Sequence, residues 1–251
     1  MDDTQLLRYS RHILLTELGV DAQQRFGEAH VLVVGVGGLG NPVAQFLAAA
    51  GVGVLTLVDA DAVDLTNLQR QTLFDTAAVG RPKVDAARAR LAAINPEVQV
   101  VARPERVGLG ELAPLVAAAD VVVDCSDNFA TRHAVNRACV AARKPLVSGA
   151  AIRFDGQVAV FDTRDPANPC YHCLFGEGAE FEETRCATMG VFAPLVGIIG
   201  ATQAAEALKL LAPAGHSLSG RLLLLDALAM QWREVRVARD PACPVCGPAR
   251  A

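Results

Sequence analysis

The sequence predicts an α/β fold, a doubly wound and mostly parallel sheet with an antiparallel C-terminal extension, and three observations carry that expectation. Short β-branched runs alternate with helix-length segments from residue 30 to about 160, the pattern of repeated strand–helix–strand units. A glycine-rich turn, Gly35-Val-Gly37-Gly38-Leu-Gly40, stands at the first strand-to-helix junction. Two more strand-like runs follow the last long helix with no helix between them, so they should pair antiparallel through a short turn.

Taken in order, His30–Val34 is the first strand and ends at Gly35. Asn41 is expected to cap the next helix, with Pro42 in its first turn and Gly51 to close it. Val54–Val58 is the second strand and stops at Asp59. A helix over 82–94, a strand over 98–102, a helix near Leu112 and the strand Val121–Asp124 come next. Residues 131–143 read as a helix, and 145–148 and 157–161 as strands. A long polar crossover at 163–186 precedes an apolar helix over 195–212 and the closing strands at 221–226 and 232–237. No repeat or linker divides the chain, so a single domain over 1–251 is expected. It comprises a helical arm (1–29), a core (30–162), the crossover (163–190) and a C-terminal part (191–251).

Composition limits the functions available. Nine Phe, two Tyr and one Trp against 21 glycines, with 52% of the 251 residues hydrophobic, describe an aliphatic core and exclude disorder. The net charge of −4 leaves no surplus of Lys and Arg for nucleic acid or a membrane surface. An anion must therefore be held by a few well-placed cations. Met1-Asp2-Asp3, with Arg8 and Arg11 inside the first apolar pattern, lacks the basic flank and apolar run of a signal peptide, so a cytoplasmic location is expected. Residues 187–205 are uncharged and approach a membrane-spanning length. However, Thr188, Pro194, Thr202 and Gln203 interrupt them and Glu206 and Lys209 follow, which favours a buried helix.

Cysteine spacing is more telling than cysteine number. Of seven cysteines, four form two C-x2-C pairs, Cys170/Cys173 and Cys243/Cys246, separated by 69 residues and flanked by Pro169, Pro244 and Gly247. Such a pair can put two thiolates on one face of a tetrahedral ion, so a structural zinc knuckle is expected, with no ligand position left for water. Two redox pairs, or four thiols without function, are the alternatives for this spacing. Cys125 and Cys139 fall in apolar patterns and should be inert. Cys186 follows Glu182, Glu183, Thr184 and Arg185, so it is expected to be accessible, with a cation beside it that favours a thiolate; a surface cysteine without function fits the same surroundings.

The glycine turn has the context of a phosphate site. It follows a strand and opens a helix, and Asp59 lies 19 residues beyond Gly40 at the end of the next strand. Glycines let the backbone approach phosphate at a helix N-terminus, and the carboxylate can accept from ribose hydroxyls. This Rossmann-like arrangement points to an adenine nucleotide, either NAD or ATP. Asn67-Leu-Gln-Arg70 and Gly80-Arg81-Pro82-Lys83 then supply cations, two of them at a helix start where the macrodipole disfavours positive charge. That arrangement suits a triphosphate, although a solvated helix start would also account for them. Asp127 and Asn128 follow the strand Val121–Asp124 at the carboxyl edge of the sheet. Asp127 can hold Mg²⁺ there, or either residue can cap the following helix.

Arg8-Tyr-Ser-Arg11, the glycine turn, Asp59, Asn67-Leu-Gln-Arg-Gln-Thr72, Arg81-Pro-Lys83, Asp124-Cys-Ser-Asp-Asn128, the paired knuckles and Cys186-x3-Gly-Val together resemble the ThiF/MoeB/HesA family, relatives of ubiquitin-activating enzymes. The resemblance covers nearly the whole chain in order. It implies adenylation, from Mg-ATP with release of pyrophosphate, of the C-terminal glycine of a ubiquitin-like sulfur-carrier protein ending in Gly-Gly. By position it implies that Gly38, Asp59, Asn67, Arg70, Lys83 and Asp127 hold Mg-ATP, with Asn128 nearby, and that the four knuckle cysteines hold zinc. Arg11 would reach the triphosphate of a second subunit, which makes a homodimer the expected unit. Residues 145–153, 193–197 and 226–227 resemble the molybdopterin branch, with the thiazole branch of thiamine synthesis as the alternative. In the thiazole branch the cysteine matching Cys186 joins the carrier through sulfur. His12, Thr66 and Met189 depart from the residues most frequent in the family. Because the sequence stops at Ala251, the sulfur donor, a cysteine desulfurase or a rhodanese, is expected to be a separate protein. An NAD-dependent oxidoreductase remains the competing class on the same glycine turn.

Overall fold

The structure is a computed structural model that describes residues 1–177 and 189–247. One sheet of eight strands runs through it in the order β3-β2-β1-β4-β5-β6-β7-β8. The strands are β1 (His30–Val34), β2 (Val54–Val58), β3 (Gln99–Arg103), β4 (Val121–Asp124), β5 (Leu146–Ile152), β6 (Asp155–Phe161), β7 (Arg221–Asp226) and β8 (Gln231–Arg236). The first five are parallel and the last three antiparallel, as the sequence predicts.

Helices cover both faces of the parallel half, which is why its central strands β1, β2 and β4 are mostly apolar and buried. Val31 and Val33 of β1 face one layer, formed by α4 (Gly40–Ala49), α5 (Lys83–Ile94) and α9 (Ala193–Leu211). Leu32 and Val34 face the other, formed by α6 (Leu109–Ala118), α7 (Phe129–Ala142) and Tyr171 of the one-turn α8 (Tyr171–Leu174). This odd–even division follows from the two-residue repeat of a strand. Although α9 is long and apolar enough to cross a membrane, Leu195, Val196, Ile199, Ala204 and Ala207 are buried in the first layer. It is a core helix, as expected.

The N-terminal arm consists of α1 (Asp3–Arg8), α2 (Ser10–Ile13) and α3 (Gly19–Glu28). Tyr9 anchors it: its hydroxyl donates to Glu97 Oε2 at 3.1 Å and accepts from Asn95 Nδ2 at 2.8 Å. Its ring lies against Gly51, where an added methyl would stand 2.5 Å from the ring.

Two local expectations are corrected. Asn41 does not cap α4; the cap position is Leu39, with no side-chain bond. Asn41 is fully buried instead, donating to the Val36 carbonyl and accepting from the Leu73 amide, both at 2.8 Å, and so ties the glycine turn to the segment carrying Arg70. The helix expected from Thr131 begins at Phe129, because Asn128 caps it by accepting from the Thr131 amide at 2.8 Å.

Candidate active site

The order of the sheet reverses at β1, whose neighbours are β2 and β4. Open α/β sheets bind ligands in the crevice at such a point, beyond the carboxyl ends of the strands. The glycine turn, Asp59 and the Ser126–Asn128 loop all follow the three strands concerned.

Within the turn the glycines have unequal duties. Gly35 has φ +89° and a Cβ there would lie 2.8 Å from the Cys125 carbonyl oxygen, while one on Gly40 would lie 2.0 Å from the Gly35 oxygen. Both are forced by the turn itself. A Cβ on Gly38 would press on Val196 of α9 at 3.3 Å, whereas on Gly37 it would meet only Gln71 Nε2 at 3.6 Å. Gly37 is thus the open face of the turn.

Asp59 is built into this turn. Its Oδ2 accepts from the Val36 amide at 2.7 Å and its Oδ1 from the Asp61 amide at 2.9 Å. Burial raises its carboxyl above the ordinary value, against Lys83 and the two amides, which lower it. Residues 61–63 pair antiparallel with 80–83 through an Ala62–Pro82 bridge, and that pairing delivers Lys83. Lys83 is only 5% exposed, and its Nζ donates to Asp61 Oδ2 at 2.8 Å. The cation at the start of α5 is therefore already partly neutralised by Asp61, a partner that sequence reasoning missed although it lies two residues beyond Asp59.

Asn67 ends a short turn, Leu65–Asn67, that Asp64 caps by accepting from the Thr66 amide. Arg70 donates to the Thr66 carbonyl at 3.3 Å and lines a cleft of about 280 Å³ with Pro42, Gln69, Thr72, Ala193, Pro194 and Gly197. Asp127 is exposed, and no hydrogen bond or ion pair engages its carboxylate among the described residues. Its neighbours are fixed: Arg132 donates to the Ser126 carbonyl at 2.9 Å, and Asn128 caps α7. Asp124 beneath it is fully buried; burial raises its carboxyl, countered by Arg132 and Ser126. Arg11 is exposed on α2 and makes no bond to the glycine turn, Arg70 or Lys83 among the described residues. Cys186 lies outside the described residues.

The four knuckle cysteines converge. Sγ separations are 3.9 Å for Cys170–Cys173, 3.7 Å for Cys170–Cys243 and 3.5 Å for Cys173–Cys246, and all four lie within 4.8 Å of one another. Four thiolates about 2.3 Å from one tetrahedral zinc stand about 3.8 Å apart, so the set fits that ion and its ligand positions are all filled. Burial pushes the Cys170 and Cys173 thiols up, whereas at Cys246 burial is outweighed by hydrogen bonds from Cys173 and Arg239, which lower it; a bound cation would displace the remaining thiol protons. Cys125 and Cys139 are buried, as expected, and burial raises both thiols.

A glycine-turn crevice with a buried lysine, and a four-cysteine cluster that could hold a metal ion, on one continuous sheet, define an α/β protein of the nucleotide-binding class. The chain belongs to the ThiF family, whose profile matches residues 9–245. It is 48% identical over 250 residues, 98% of each chain, to the molybdopterin-synthase adenylyltransferase of Escherichia coli strain K12. It is 45% identical over 251 residues, 100% of this chain and 99% of the other, to the sulfur carrier protein ThiS adenylyltransferase of the same organism. The crystal structure of E. coli MccB with ATP matches with a TM-score of 0.84 at 27% identity, over 96% of this chain and 73% of that one.

Proposed function

We propose that this protein is a cytoplasmic enzyme that adenylates the C-terminal glycine of a ubiquitin-like sulfur carrier with ATP, most directly the small subunit of molybdopterin synthase. The observation that carries the reading is the cradle of glycine turn, turn-bonded Asp59 and buried Lys83 at the sheet's switch point, in a chain that matches an adenylyltransferase over 98% of its length. The likeness to ATP-bound MccB and the cations Lys83 and Arg70 favour ATP over NAD.

In this reading Gly35, Gly37, Gly38 and Gly40 take the phosphates on backbone amides at the start of α4, and Asp59 accepts from the ribose. Asn67 and Asn128 border the bound nucleotide. A carboxylate is a poor electrophile; its attack on the α-phosphorus of ATP gives an acyl-adenylate and releases pyrophosphate. Lys83 and Arg70 stabilise charge that grows on the phosphate oxygens as that bond breaks. Asp127, exposed and with its carboxylate unengaged among the described residues, would hold Mg²⁺, which would supply positive charge to neutralise the phosphates. Arg11 would act on the triphosphate of a second copy in a homodimer. Leu7 at 77% and Leu14 at 71% exposure beside it support a contact there. Cys170, Cys173, Cys243 and Cys246 would hold a structural zinc. Cys186 would serve sulfur transfer after adenylation, with the sulfur drawn from a separate desulfurase or rhodanese.

The near-equal identity to the ThiS adenylyltransferase keeps the thiazole carrier as the second substrate to be tried. Carrier-dependent exchange of labelled pyrophosphate into ATP is the test, with the molybdopterin and thiazole carriers side by side. Lys83→Ala and Arg70→Ala should each lower exchange by about 10²–10³-fold. No exchange with either carrier would overturn the assignment.

A further inference from the structure

We propose that Asn136 is an outer-sphere partner of the knuckle metal: its amide nitrogen holds the Cys170 sulfur while its amide oxygen holds the backbone of the same knuckle, fastening the metal site to α7. The inference rests on the zinc reading above. Asn136 sits mid-way along α7, is 1% exposed, and belongs to no part of the nucleotide crevice. Its Oδ1 accepts from the Tyr171 amide at 2.9 Å, and its Nδ2 donates to Cys170 Sγ at 3.7 Å. The orientation of the side chain is fixed by chemistry, since a backbone N–H can only donate, which obliges the oxygen to face Tyr171 and the NH₂ to face sulfur.

Such a donor has a purpose. Four thiolates around one divalent cation leave a net charge of about −2, here at a site where Cys170 and Cys243 are buried. Hydrogen bonds to the sulfurs offset that charge, orient the ligands and strengthen metal binding. The knuckle loops supply donors of their own: Arg239 donates to the Cys246 carbonyl at 2.6 Å and hydrogen-bonds its thiol, and the backbone of Cys173 and Asp240 serves the Cys170 and Cys173 sulfurs. Asn136 adds a side-chain donor from α7, and so ties the set to the core of the fold. An aspartate in its place would keep the shape and turn an acceptor oxygen toward a thiolate, and an alanine would leave the Tyr171 amide without its partner.

The test uses the full chain. Zinc content and affinity are measured by competition with a chromogenic chelator for the unaltered protein, Asn136→Ala, Asn136→Asp and Val135→Ala. The last removes buried core volume from the neighbouring position of α7 without removing a hydrogen bond to the knuckle. Far-UV circular dichroism and Tm report folding. Asn136→Ala and Asn136→Asp should bind zinc about 10- to 100-fold more weakly, with Val135→Ala lowering Tm at unchanged affinity. In cobalt-substituted protein the thiolate-to-metal charge-transfer band should shift in the Asn136 variants alone. If Asn136→Ala fails to fold, the isosteric Asn136→Asp carries the comparison. Unchanged zinc affinity and an unshifted cobalt band in the Asn136 variants would overturn the inference and leave the zinc site standing. Failure of the unaltered protein to retain one zinc per chain would overturn both.

Discussion

At Gly40 a methyl group would stand 2.0 Å from the Gly35 oxygen, and at Gly37 the nearest atom would be Gln71 Nε2 at 3.6 Å. The motif names these glycines alike, but the backbone treats them differently. Gly40→Ala should destabilise the fold by about 2–4 kcal/mol, since backbone must move to admit the Cβ. Gly37→Ala should fold normally and lose ATP affinity at least tenfold, because its methyl would occupy space a phosphate needs. Denaturant titration and calorimetric ATP binding on the two variants separate these outcomes; equal stability losses would contradict the division. Sequence reasoning could place the turn because glycine spacing is local information. It could not rank them, since only Gly40 is opposed from within the turn, by Gly35, while the atoms opposite Gly35, Gly37 and Gly38 come from Cys125, Gln71 and Val196, far along the chain. Asp61, the partner of Lys83, was hidden for the same reason: the 61–63 and 80–83 segments meet only by tertiary pairing.

The start of helix α7 shows how adjacent residues serve unlike purposes. At its start Asn128 is a cap and Asp127, one residue earlier, is exposed with nothing engaging its carboxylate among the described residues. Both residue types can cap a helix, so the sequence left the choice open, and geometry divides it. Asn128→Ala should cost about 1 kcal/mol of stability. Asp127→Ala should leave the melting temperature unchanged and abolish Mg-dependent pyrophosphate exchange. A stability loss in Asp127→Ala equal to that in Asn128→Ala would mean that the capping duty is shared. The same kind of competition explains Asn41. Its local pattern suits a cap, yet burial offers it two backbone partners, Val36 and Leu73, that no local rule reveals.

For the whole molecule, alternation of strand and helix patterns and paired cysteine spacing made the sheet, its antiparallel end and the knuckle legible, because each rests on short-range repeats. The knuckle's two halves are another matter. Between Cys173 and Cys243 the chain must lay down α9, β7 and β8, so the four sulfurs meet only when the antiparallel edge is complete. That geometry leads to a prediction about timing: a metal ion bound there would be captured last, as a latch on a finished sheet. Refolding followed by stopped-flow fluorescence should then have a main phase whose rate is the same with zinc or with a chelator, while the chelated product keeps its far-UV spectrum. Closing a loop of this length restricts the unfolded chain by about 4 kcal/mol, so the chelated product should melt on the order of 10 °C lower. A main phase that slows without zinc would place the latch early. If the latch is late, a newly made chain passes through a stage with its nucleotide crevice formed and its tail still free, and the supply of zinc sets how long that stage lasts.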